Sequence, residues 1–273
     1  MPNAELSALL DDVSKRVAAD PACGLIEARP LFEDMLARGL HIVALNDMLS
    51  QLDSEDAQDI FTSGKFLVIG LAGDVELTFV RYTRPGPYIF SSPNNYLQAS
   101  LSGGGFTVDR YRSSHPVGGP DFDPGVSLDL VSSRRADDRT IIVKRLEDIV
   151  HFRSFTREPT IFVRLAQLPD GDFEWAFDRA SRRAHSFCTI RLAESNLCGL
   201  FDLLAETGDE RTVETVAHFV EHPLHFVRWK AVQTIGRHDR ARGLELARRA
   251  LDDIHPHVRA AARATLASLE ARG

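Results

Sequence analysis

The chain reads as an α+β protein: a helical lead-in, a strand-rich middle and a C-terminal array of helices. Two changes of period predict this. Apolar residues follow helical spacing up to about residue 64, two-residue alternation from there to about 189, and helical spacing again afterwards. The third observation is an internal repeat. Val227, Arg228, Ala231 and Ile235 recur 31 positions later as Val258, Arg259, Ala262 and Leu266, and Val213, Val216 and Val220 recur as Leu244, Ala247 and Leu251. The domains expected are therefore 1–64, 65–189 and 190–273. With 44% hydrophobic and 26% charged residues over 273 positions, the chain has the make-up of a soluble globular protein with a sizeable core.

Within 4–52 three apolar stripes predict helices: Leu6, Leu9, Leu10 and Val13; Leu31, Phe32, Met35 and Leu36; and Ile42, Val43, Leu45, Met48 and Leu49. Pro30 sits where a helix starts and Gly39 where one stops. From Lys65 onward, runs rich in Val, Ile, Phe, Thr and Tyr lie between Gly, Pro, Asn and Asp clusters. They predict strands at 66–71, 75–82, 96–101, 106–111, 126–131, 140–143, 149–155, 160–168, 173–177 and 184–189. Short strands at this spacing suggest a sandwich or small barrel. The segment 113–125, with its prolines and glycines, reads either as a mobile flap or as a solvated hairpin connection. Helices are expected at 191–206, 210–221, 224–236, 241–252 and 256–270, the first a degenerate member of the array.

Charge narrows the partners. Residues 189–273 carry 12 Lys and Arg against 12 Asp and Glu, leaving 20 against 27 in residues 1–188. A basic excess, the footprint of a phosphate-binding face, is missing from both parts, which argues against nucleic acid. The N-terminus lacks the basic start and apolar run of a secretory signal, and no window approaches the ~18 apolar residues of a membrane span. Cys23, Cys188 and Cys198 are odd in number and lack metal-ligand spacing, as suits a reducing compartment. A cytoplasmic protein without disulfides is expected.

A period in the thirties denotes a two-helix unit that must stack on a copy of itself. The segments 222–236 and 252–266, with a loop Asp or Pro before Val-Arg and an Ala where helices touch, resemble the second helices of HEAT-like repeats. The resemblance implies a stacked surface for a protein or peptide partner. The alternative is that the helices only pack against the strand-rich part. Arg248, Arg249, Arg259 and Arg263, interleaved with Glu245, Asp252 and Asp253, read as a solvated, ion-paired face. His222, His225, His238, His255 and His257 fall at turns of successive repeats, where polar residues are expected, and are read as turn residues with no metal assigned to them.

The stretch 83–105 has the rhythm of the first cupin motif, and 147–164 resembles the second as found in cysteine-dioxygenase-like cupins. That resemblance puts His151 in the place of the third metal-binding histidine. Where a metallocupin has its other histidines this chain has Phe90, Ser91, Ser92 and Asn95, none a strong first-row ligand. The expectation is a metal-free, cofactor-free cupin-like β-barrel or sandwich that binds a small molecule. Tyr88, Phe90, Tyr96, Gln98, His151, Arg153, Phe162 and Arg164 would line its pocket, and Arg153 and Arg164 would anchor a carboxylate if the strand phase points them inward. The rival expectation is an iron-dependent cupin oxygenase in which His151 converges with the distant His115 and His185. Gly103-Gly104-Gly105 precedes a strand-like run and reads as a hairpin turn, and no nucleophile motif is present; no catalytic residue is assigned. Edge-to-edge pairing of cupin-like barrels adds a homodimer by analogy.

Overall fold

The computed structural model describes residues 4–51, 66–83, 85–117, 122–138, 140–169, 171, 173–190 and 192–270. It divides into two compact units, Met1–Cys188 and Thr189–Gly273. Part of the segment proposed as a flap, 118–121, lies outside the described residues.

The first unit opens with helices α1 (Ala4–Ala19), α2 (Gly24–Glu27), α3 (Arg29–Ala37) and α4 (Leu40–Gln51). On α1 the residues Leu6, Leu10, Val13 and Val17 recur every three to four positions, and all four are buried. They meet a sheet of β1 (Phe66–Ala72), β2 (Val75–Tyr82), β4 (Tyr96–Ser100), β7 (Ile142–Lys144) and β9 (Thr160–Gln167), ordered β1-β2-β9-β4-β7. Alternation decides which side chains face the helices. Val75, Leu77 and Phe79 of β2, Leu97 and Ala99 of β4, and Val163 and Leu165 of β9 share a core with α1.

The opposite face of that sheet packs Val80, Tyr96, Phe162 and Ala166 against Phe106, Val108 and Phe152. Those partners belong to a three-stranded sheet of β6 (Leu128–Ala136), β5 (Phe106–Ser113) and β8 (Ile149–Arg153). A third sheet pairs β10 (Phe173–Asp178) with β11 (Ala184–Thr189) and β3 (Tyr88–Phe90) and buries Trp175 and Phe177 against Tyr111, Leu128 and Ile149 of the second sheet. The pairs β1–β2, β2–β9, β4–β9, β4–β7, β5–β6, β5–β8 and β3–β10 all run antiparallel.

The expected barrel is thus corrected. Among the described residues the strands form three sheets and close no ring. Between β6 and β11 the contact shrinks to a single bridge, Ser127 with Arg183. The run β6 extends through Ser132, Ser133, Arg134 and Arg135, and its residues from Asp129 to Arg135 are exposed; such a polar edge is solvated rather than sealed against another strand.

The second unit is helical: α5 (Leu192–Thr207), α6 (Glu210–Ala217), α7 (His225–His238), α8 (Arg240–Arg249), a 3₁₀ turn (Ala250–Asp252) and α9 (Pro256–Glu270). Asp209 and Asp239 cap α6 and α8 through the amides of Arg211 and Arg242. Val227, Ala231 and Ile235 are buried, as are their partners Val258 and Ala262 one repeat later. The offset of 31 also holds for polar contacts. Arg228 donates to the carbonyls of His222 and Pro223, and Arg259 to those of Asp253 and Ile254. Likewise Nδ1 of His222 accepts the amide of Leu224, while Oδ1 of Asp253 accepts that of His255. Arg259 is therefore drawn out of the arginine-rich face expected to be wholly solvated, because orphan carbonyls ahead of a helix compete for its guanidinium; Arg248, Arg249 and Arg263 remain exposed.

Candidate functional site

The side of the five-stranded sheet that faces away from α1 is where polar residues interrupt the core. In register, Thr78 of β2 and Gln98 of β4 both pair with Arg164 of β9, and Tyr96 of β4 pairs with Lys144 of β7. Arg164 is held on three sides. Its Nε donates to Gln98 Oε1 at 2.7 Å, one Nη donates to the Tyr82 hydroxyl at 3.1 Å, and its guanidinium carbon lies 4.5 Å from the centre of the Tyr96 ring. Such a fork is fixed before any ligand arrives, which is what bidentate recognition of a carboxylate requires.

A cleft of about 650 Å³ opens beside it, lined by Tyr82, Tyr88, Phe90, Tyr96, Phe152 and Phe66 with Arg81, Arg164, His151, Ser92 and Glu174. Its volume suits a small organic molecule, and its wall mixes aromatic rings with charged and polar groups in nearly equal measure. Nε2 of His151 is buried and makes no hydrogen bond among the described residues; the same is true of Nε2 of Gln98, next to Arg164. Burial is the main force that lowers the His151 pKa, aided by Arg179 and opposed by Asp109, so the ring is a neutral donor and acceptor at neutral pH. Burial also raises the Tyr96 phenol, which stays protonated. Arg164 stays charged: burial works against it, but Tyr82, Tyr96 and Glu76 more than compensate.

Behind the wall lies Lys144, 1% exposed. Its Nζ donates to the carbonyls of Ser92 at 2.8 Å, Asn94 at 2.7 Å and Arg145 at 3.2 Å, so it pins the turn that follows β3. Burial above all pushes its pKa down to about 7. Glu174 accepts from the amide of Ser92 at 3.1 Å and its hydroxyl at 2.7 Å, fixing the same turn from the other side. Asp148, also buried, pairs with Arg110.

Of the eight residues expected to line a pocket, Tyr88, Phe90, Tyr96, His151 and Arg164 come together around this cleft. The other three lie elsewhere. Gln98 sits one step behind, bonded to Arg164; Phe162 is fully buried in the aromatic core, its ring 5.1 Å from Phe106 and 5.4 Å from Phe152. Arg153 spends its fork on Asp109, at 2.5 and 3.2 Å, on the β5–β8 sheet. Sequence reasoning did not place Tyr82, Lys144 or Glu174 at a pocket, although Glu174 stands out as an acid near a strand end. Lys144 closes β7 one residue beyond the strand expected at 140–143, Tyr82 reads as an ordinary strand residue, and Glu174 lies on a strand far away in sequence.

The iron site of the rival reading needs three converging strong donors. The imidazole and carboxylate groups of the wall are His151 and Glu174, one short of a triad. His185 instead stacks on Tyr88 with ring centres 4.9 Å apart, and His115 bonds to Ser114 on its loop. Among the described residues, the group of three His, Cys, Asp or Glu donors within reach of one ion lies in the helical unit, not here.

No family profile matches the chain, and no curated protein matches it. Solved structures do show partial likenesses. One is a hydroquinone 1,2-dioxygenase crystallised with Cd2+ and 4-hydroxybenzonitrile, 12% identical, with a TM-score of 0.28 over 37% of this chain and 61% of that one. Another is vicilin from hazelnut, Corylus avellana, 16% identical, with a TM-score of 0.27 over 46% of this chain and 28% of that one. The chain thus spans less than two thirds of either protein, and at such scores the likeness assigns neither fold nor activity. No helix among the described residues is long and apolar enough to cross a membrane.

Proposed function

We propose that the first unit is a recognition module, a degenerate cupin-like fold of three sheets whose cleft binds a small molecule with a carboxylate or similarly planar anionic head. Arg164 carries the reading. Its guanidinium is oriented by Gln98, Tyr82 and Tyr96 at an aromatic wall, and a cation fixed in that way is preorganised for a planar anion. Tyr88 and Phe90 would cover the apolar body of the ligand, and His151 would contribute one hydrogen bond. The helical unit, in the same proposal, is a short HEAT-like array presenting a stacked surface to a protein or peptide.

Calorimetric titration of the full chain with a panel of aliphatic and aromatic carboxylates tests the cleft. The expected result is at least one carboxylate bound at micromolar affinity, weakened by about tenfold to a hundredfold in Arg164→Met, as loss of a charge-assisted pair worth about 1.5–3 kcal/mol implies. Arg153→Ala should bind as the parent does. Equal binding by Arg164→Met would overturn the proposal, and so would a panel without a ligand. Stoichiometric iron that disappears in His151→Ala would replace it with the oxygenase reading.

A further inference from the structure

The stacked turns of the helical unit bring three imidazoles into one group. His225 opens α7, and His255 and His257 flank Pro256 where α9 begins; one ligand-capable atom from each lies within 4.8 Å of the others. The three do not occupy equivalent places in the repeat, since an offset of 31 carries His225 onto Pro256. They meet because the turn of one repeat lies against the turn of the next. Ring centres of His225 and His255 are 3.6 Å apart and nearly parallel, those of His255 and His257 5.1 Å, and those of His225 and His257 5.9 Å.

From this geometry we infer that the trio is a binding site for a borderline transition cation of the Zn2+, Co2+, Ni2+ or Cu2+ class, with three imidazole ligands and a fourth position open. Imidazole nitrogen suits these ions, while Mg2+ and Ca2+ demand oxygen. Metal–nitrogen bonds of about 2.0–2.1 Å in a tetrahedral array put the donors roughly 3.3 Å apart, so the trio must tighten by about an ångström and a half. Side-chain rotation covers that distance. The parallel pair has to unstack, because lone pairs of parallel rings run side by side instead of converging.

The backbone beneath the trio is already fixed. Arg228 grips both oxygens of Asp253 at 2.9 and 2.6 Å, both side chains are nearly buried, and Oδ1 of Asp253 also accepts the amide of His255 at 2.7 Å. Asp253 offsets part of the positive charge that Arg228 brings close to the trio.

The test uses the full chain, stripped with a chelator and titrated with Zn2+ by calorimetry and with Co2+ by visible absorption. One Zn2+ per chain should bind at micromolar affinity or tighter, and Co2+ should give the intense d–d bands of a low-coordinate nitrogen site. His257→Gln, at a part-exposed position, should weaken Zn2+ at least about tenfold, as should His255→Gln, whereas His218→Gln should bind like the parent. Helical circular dichroism confirms that each variant is folded. If His225→Gln does not fold, the two other variants decide alone. Absence of Zn2+ binding overturns the inference, as does binding that survives in the His255→Gln, His257→Gln double variant.

Discussion

Lys144 makes the stability of the first unit depend on pH in an unusual direction. A lysine normally gains from folding by finding a partner; here the cost of burial dominates, and its pKa falls from 10.5 in the unfolded chain to about 7. Between those values the unfolded state holds a proton that the folded state has released. Unfolding free energy therefore rises with pH, by at most ~1.4 kcal/mol per pH unit. Below pH 7 both states are protonated and the penalty is constant. Above about pH 9 other groups of this unit oppose the trend: burial raises Cys188, Tyr96 and Tyr111 above their ordinary values, so the stability they contribute is lost as the unfolded chain ionises. The clean window is pH 7.0–8.5, where linkage gives a gain of about 1.5 kcal/mol. Urea unfolding followed through Trp175, buried in the same unit, measures it in a Trp229→Phe background that silences the helical unit. Lys144→Met should flatten the dependence even though it orphans three carbonyls and lowers stability throughout. A native protein with no rise across the window, or an unchanged rise in Lys144→Met, refutes the argument.

Other substitutions probe packing and pairing. A Cβ on Gly243 would come within 2.4 Å of the Gly236 Cα, while one on Gly236 meets the Gly243 Cα at an ordinary 3.7 Å. Gly243→Ala should therefore cost about 1–3 kcal/mol by overpacking and Gly236→Ala should gain up to about 1 kcal/mol of helix propensity, both read from the helical unfolding midpoint. Asp253→Ala leaves the nearly buried Arg228 without its carboxylate and should cost about 3–5 kcal/mol in the same denaturation assay. Phe162→Ala, at the centre of the Tyr82–Phe106–Phe152 cluster, should cost about 3–5 kcal/mol by calorimetric unfolding of the first unit; a loss below 1 kcal/mol would mean that the cluster collapses around the gap.

The α+β class, the succession of helices, strands and helices, and the repeat in the last unit are written in the sequence because each is a matter of local period. Strands such as 75–82 and 106–111 follow two-residue alternation closely, and Val227 and Val258 announce equivalent helices 31 positions apart. A local pattern leaves the pairing of strands open: the same runs could close into a ring, and only the ladder shows that they divide into three sheets. Alternation also leaves phase undecided, so Arg153 and Arg164 look alike on paper. In space, Arg153 binds Asp109 while Arg164 faces the cleft.

What the sequence determined by itself, then, is the order and kind of elements, since periodic burial is enforced residue by residue along the chain. Tertiary structure alone decided where chemistry gathers. The wall around Arg164 takes Tyr82, Tyr96, His151 and Glu174 from four strands, and the imidazole group joins His225 to residues thirty positions away. Side chains so distant in sequence become neighbours only when sheets and helices pack, and no repeat or alternation along the chain records that packing.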